Sequence, residues 1–177
     1  MLDESGKFKG TAARVPRRAF SELVAAAAFD PTSGAKPEQF GSLLEIAVDH
    51  LPTPSSIFTS TKTEHRPQYD AARARAGVPP LGVTPSGPAP SDVLLFNEDN
   101  QLTETSIRNI AFFRDGAWIT PNADTGCLTG VVRRHLLAQG LIREVDTLKL
   151  DDVRDQEIVM LLNGVEGCKL GRIVKSA

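Results

Sequence analysis

The chain has 177 residues, of which 41% are hydrophobic and 24% charged, with a net charge of −2. That describes one ordinary soluble domain, or one domain with a short appendage, large enough to bury a proper core. The near-neutral charge gives no reason to expect nucleic acid or an anionic membrane as partner, and no apolar run reaches the roughly 18–20 residues of a membrane helix.

The first residues, MLDESGKFKG, are polar and acidic at Asp3 and Glu4. They lack the character of a secretory or transit signal, so a cytoplasmic location is expected. Cys127 and Cys168 read as two buried thiols rather than a disulfide or zinc framework. His50, His65 and His135 stand at no metal-ligand spacing, and no metal is expected.

In chain order, residues 1–18 suggest a loose arm. Residues 19–29 (AFSELVAAAAF) are rich in helix formers and predict a helix ending at Asp30-Pro31. Residues 38–50 predict a second helix, with Phe40, Leu43, Leu44 and Ala47 on one face. Residues 56–60 (SIFTS) suit a short strand. Residues 64–76 suit a helix with Pro67 in its first turn. Residues 77–91, dense in Pro, Gly and Ser, form a loop.

Strands are expected at Asp92–Phe96, Asn109–Arg114 and Ala117–Thr120, the last two joined by the hairpin signal Asp115-Gly116. Thr129–Gln139 predicts a helix closed by Gly140. Strands at Leu141–Asp146, Glu157–Leu162 and about 168–174 complete a mixed α/β pattern with hairpins, and the acidic stretch 149–154 predicts a helical turn. The two-part reading is a helical segment over 1–55 and a mixed α+β domain over 56–177.

Four segments occur in fixed order: 61-TKTEHRPQYDAARARAG-77, 102-LTETSIRNIAFFRDGAWITP-121, 127-CLTGVVRRHLLAQG-140 and 159-VMLLNGVEG-167. Together they resemble the C-terminal cofactor-binding lobe of class IV aminotransferases, the fold-type IV pyridoxal-phosphate enzymes that include aminodeoxychorismate lyases. The resemblance implies pyridoxal 5′-phosphate as cofactor, a small-molecule substrate such as an amino acid or amino-deoxychorismate, and a homodimer.

It also assigns residues. In 62-KTEHR-66, Lys62 takes the place of the Schiff-base lysine. A lysine suits this role because its amine loses its proton when desolvated or flanked by cations. In the TExxxxN pattern, Glu104 is the carboxylate that faces the pyridine nitrogen, with Asn109 five residues on. Gly130, with the amides of Val131 and Val132, matches the LPGxxR turn that opens a helix onto the phosphate. Thr129 stands for the usual proline and Val132 for a hydroxyl residue. Asn163 and Gly164 match the strand-to-loop segment at the same phosphate. Arg66 and Tyr69 follow Lys62 on the next helix, while Arg73 and Arg75 are expected to lie along a solvated surface.

Only 61 residues precede Lys62, so a shortened N-terminal lobe is expected. If 20-FSELVAAAAF-29 is its counterpart, Glu22 stands where the family carries a phosphate-binding arginine. The alternative readings are a cofactor-free lyase, cyclase or isomerase on the same fold, or a non-catalytic subunit.

Overall fold

The computed structural model describes residues 19–84, 86–146 and 148–175; the expected arm over 1–18 lies outside them. One eight-stranded sheet organises the chain. Its strands are β1 (Leu44–Val48), β2 (Asp92–Phe96), β3 (Leu102–Thr105), β4 (Asn109–Arg114), β5 (Ala117–Pro121), β6 (Arg143–Val145), β7 (Ile158–Asn163) and β8 (Gly167–Val174). They lie in the order β3-β2-β1-β8-β7-β4-β5-β6. β1 runs parallel to both β2 and β8, and β5 parallel to β6; the other pairs are antiparallel. The sheet curls until β3 approaches β4. This is the mixed α/β architecture with hairpins that the sequence implies.

Side chains alternate across the strands with the period of two that a pleated backbone imposes. Ile46, Leu94, Ile110, Phe112, Val159, Leu161 and Ile173 fill one face. On the other face, Ala111, Met160, Leu162 and Leu170 pack beneath helix α4 (Val131–Ala138). Val93 and Leu95 pack beneath helix α3 (Pro67–Arg75), against Tyr69 and Ala72. Both cysteines are free and buried, and burial pushes their thiols up, Cys127 to about 11 and Cys168 to about 12.

Four local expectations are corrected. The helix over 38–50 is absent: Pro37–Phe40 makes one 3-10 turn, Gly41 turns the chain at φ 115, and β1 follows. The apparent helical stripe divides, Phe40 and Leu43 joining one face of the sheet and Leu44, Ile46 and Val48 the other. Pairing with β2 and β8 overrides the helical spacing, and places β1 inside the same sheet as strands from beyond residue 56.

The strand over 56–60 is instead the short helix α2 (Ile57–Ser60). Its capping box decides this, Phe58 N donating to Ser56 Oγ and Ser56 N to Thr59 Oγ1. The helix over 19–29 divides into α1 (Phe20–Leu23) and a 3-10 turn at Ala25–Ala28; there Trp118 Nε1 donates to Phe29 O at 2.8 Å, fixing the segment to the sheet. Finally, the Arg73 and Arg75 heads are held by protein. Arg73 is buried and bonds Pro79 O and Ser106 Oγ, and Arg75 pairs with buried Asp49 at 2.6 Å.

The segment of α1 also crosses β8 at Gly167. This residue has φ 77, and a Cβ there would collide with the Leu23 carbonyl. Strained backbone and overpacking act together, so Gly167→Ala is expected to destabilise the fold by about 2 kcal/mol or more, measured by urea unfolding.

Candidate functional site

Lys62 lies in the loop between α2 and α3 and is exposed. Local bonds shape the loop: His65 N donates to Thr63 Oγ1 at 2.9 Å, and the His65 ring stands 4.3 Å from that of Phe58. Pro67 then opens α3, its fixed φ being compatible with a first helical position. Arg66 and Tyr69 turn from this helix toward the segment joining β3 to β4. Arg66 Nη2 donates to Ser106 O at 2.6 Å, and its guanidinium lies over the Tyr69 ring at 4.7 Å. Arg66 Nε is buried with no hydrogen-bond partner among the described residues. The Tyr69 hydroxyl donates to Glu104 Oε1 at 2.7 Å and lies 3.5 Å from Thr59 O. Tyr69 thereby ties both flanks of the Lys62 loop to Glu104.

Glu104 reaches this position through a bulge. Leu94 pairs with Thr105 and Phe96 with Leu102, so Leu95 of β2 faces both Thr103 and Glu104 of β3. The extra residue resets the alternation: Leu102 enters the core while Glu104 turns toward Tyr69. Burial dominates its chemistry and pushes its carboxyl up to about 7; hydrogen bonds from Tyr69 and the Leu128 backbone, and the Arg66 charge, oppose this only in part. The same burial, with Glu104 adjacent, pushes the Tyr69 hydroxyl well above its ordinary value. A water-sized cavity borders Glu104, Tyr69, Thr59 and Thr103.

Asn109 joins Glu104 to α4. Its Nδ2 donates to Leu128 O at 2.6 Å and lies 3.4 Å from Glu104 Oε2, while its Oδ1 accepts from Gly130 N at 3.2 Å. A Cβ at position 130 would collide with Asn109 Oδ1, which is why glycine stands there. Gly130 is the extended N-cap of α4, without a side-chain cap, so the helix begins two residues later than its sequence suggests and Thr129 does not cap it. Arg133, nearly fully buried, braces this end by donating to Pro121 O and Glu144 Oε1.

The first amides of a helix have no partner inside it. Here they belong to Val131, which is exposed, and Val132, which is buried. A Cβ on Gly164 would stand 3.2 Å from Val131 Cγ2, so the β7–β8 turn abuts this helix end. The Asn163 side chain is used within that turn, Oδ1 accepting from Val165 N and Glu166 N. The structure thus gathers Glu104, Asn109, Gly130, Tyr69 and Arg66 into one connected cluster and sets Gly164 beside Val131. Sequence reasoning passed over Asp92, Arg108 and Glu166, which fasten the same loops. The available signal was charge at the margins of strongly apolar β runs.

These loops carry all four segments noted above, and residues 8–169 match the amino-transferase class IV family. The chain belongs to the class IV aminotransferase family. The Saccharomyces cerevisiae aminodeoxychorismate lyase is 35% identical over 138 residues, covering 73% of this chain and 37% of that protein. A Schizosaccharomyces pombe protein named as a candidate aminodeoxychorismate lyase is 45% identical over 74 residues, 41% of this chain and 32% of its own. The chain therefore spans about a third of the length of these curated relatives. Among solved structures, a Mesorhizobium loti protein assigned as an amino-acid aminotransferase superposes with a TM-score of 0.62 at 26% identity, over 76% of this chain and 61% of its own. A branched-chain amino acid aminotransferase from T.th., solved with N-(5′-phosphopyridoxyl)-L-glutamate, gives 0.53 at 17% identity, over 74% and 44%, and shares the fold.

Class IV aminotransferases use pyridoxal phosphate, and the chemistry of the donor set present suits that group. Buried Glu104 can set a carboxylate against a protonated ring nitrogen, and the first amides of α4, without a partner among the described residues, lie beside the Gly164 turn and match a phosphate. Among the described residues no helix is long and apolar enough to cross a membrane.

Proposed function

We propose that the protein is a pyridoxal-phosphate-dependent enzyme of the aminodeoxychorismate lyase type, acting on an amino-deoxychorismate-like substrate. The observation that carries this reading is the hydrogen-bonded connection from buried Glu104 through Asn109 to Gly130. One side chain sets the spacing between a carboxylate for the ring nitrogen and a helix end for the phosphate. The 35% identity to the yeast lyase supports a lyase over a transaminase.

Bound pyridoxal phosphate would supply an electron sink for charge developing on the substrate. This chain's residues do the rest. Lys62 Nζ anchors the cofactor, then takes a proton from the substrate carbon and returns one. Glu104 holds a proton against the ring nitrogen. Tyr69 and Arg66 orient Glu104 and the Lys62 loop. The amides of Val131 and Val132, with the backbone at Gly164, hold the phosphate, and Asn163 shapes the turn that presents Gly164. The exposed apolar residues Ile57, Phe58, Val131 and Val165 near these elements support a homodimer in which a second copy covers them.

Purified protein mixed with the cofactor is expected to turn yellow and to release pyruvate from amino-deoxychorismate. Protein that stays colourless sinks the reading. A yellow protein that instead passes amino groups between an amino acid and a keto acid redirects it to an aminotransferase.

A further inference from the structure

The catalytic assignments leave a buried ionic network unused. Asp92, at the start of β2, is fully buried. Its carboxylate accepts from Ser106 N at 3.0 Å, Ser106 Oγ at 2.5 Å, Thr105 Oγ1 at 2.8 Å and Arg108 Nη1 at 2.7 Å, with Arg73 Nη1 at 3.7 Å. A buried carboxylate is tolerable only when its oxygens are this fully engaged. Its effect is to fasten residues 105–108, the segment between Glu104 and Asn109.

Arg108 carries this fastening outward. Its Nε and Nη2 reach Glu166 Oε2 at 2.9 and 2.7 Å. Glu166, partly exposed, accepts also from Asn163 Nδ2 at 2.8 Å. Asn163 therefore closes the 163–167 turn from within, and Arg108 holds it from outside through Glu166. The same turn carries Gly164, which meets Val131 at the start of α4. A carboxylate two residues from Gly164 would repel an anion; paired with Arg108, its charge is neutralised and its position set.

We propose that Glu166, acting through Arg108, is a positioning residue for the phosphate end of the site. It holds the 163–167 turn at the distance from α4 that an anion requires, without touching the anion. The inference rests on the reading that the phosphate lies at the start of α4.

The test is titration of the purified protein with pyridoxal phosphate and, separately, with pyridoxal, which lacks the phosphate. In Glu166→Ala, affinity for pyridoxal phosphate is expected to fall about tenfold while affinity for pyridoxal stays within about twofold, the scale of losing one charge-assisted support. Glu166→Gln, which keeps an acceptor for Arg108, is expected to retain near wild-type affinity for both. Unchanged thermal melting of both variants confirms intact folding. Equal loss for the two ligands, no loss, or tighter phosphate binding in Glu166→Ala overturns the proposal. Wild-type protein that binds neither molecule overturns the cofactor reading itself, and this inference with it.

Discussion

Lys62→Ala is expected to lower kcat/KM by about a thousandfold or more, since the proposed function makes Lys62 both the anchoring amine and the proton carrier. The visible absorption band of the cofactor-loaded protein is expected to disappear with it. Stability is expected to change by no more than about 0.5 kcal/mol, because Lys62 is exposed and lies outside every core cluster. A small free amine such as ethylamine added to the variant is expected to restore part of the activity. Full activity in the alanine variant would sink the assignment.

Glu104→Gln is expected to separate two effects of one carboxyl. Catalysis is expected to fall by about a hundredfold or more, because in the proposed function Glu104 holds a proton at the ring nitrogen and a neutral amide does not. Stability moves the other way at neutral and higher pH. The folded pKa is raised from 4.5 to about 7, so folding favours the protonated form. That contribution is fully present below the unfolded value of 4.5, is lost as pH rises through about 7, and is gone above it. Glutamine mimics the protonated carboxyl at every pH. Between about pH 4 and about pH 8, the stability of the cofactor-free variant relative to wild type is expected to improve by something on the order of 3 kcal/mol. Chemical denaturation across that range measures it; a flat difference would show that Glu104 titrates as an ordinary surface acid.

Both candidates can be nominated from the sequence because the motifs that point to them are local. Lys62 stands in KTEHR ahead of a proline-opened helix, and Glu104 stands five residues before Asn109, so motif spacing carries the information. The hairpin at Asp115-Gly116 was equally legible, since a two-residue turn with positive φ at Asp115 and Gly116 is written in those two residues. So was the end of α4, where Gly140 has φ 67 and Leu141 N reaches back to Leu136 O.

Where partners are distant, the sequence was less informative. Residues 44–48 become a strand because β2 and β8 supply hydrogen bonds from residues 92–94 and 171–174. Residues 57–60 become a helix because two hydroxyls cap it, although their composition favours a strand. Arg73 and Arg75 resemble solvated arginines until the fold places Asp92 beside one and Asp49 beside the other. The sequence by itself determined the family and the candidate chemistry of Lys62, Glu104 and Gly130, because those depend on short motifs in order. Only the tertiary structure decided what surrounds them. The Tyr69 bond to buried Glu104, the Asn109 connection to α4 and the Arg108–Glu166 stay all join residues far apart in the chain, and burial and long-range pairing alone bring them together.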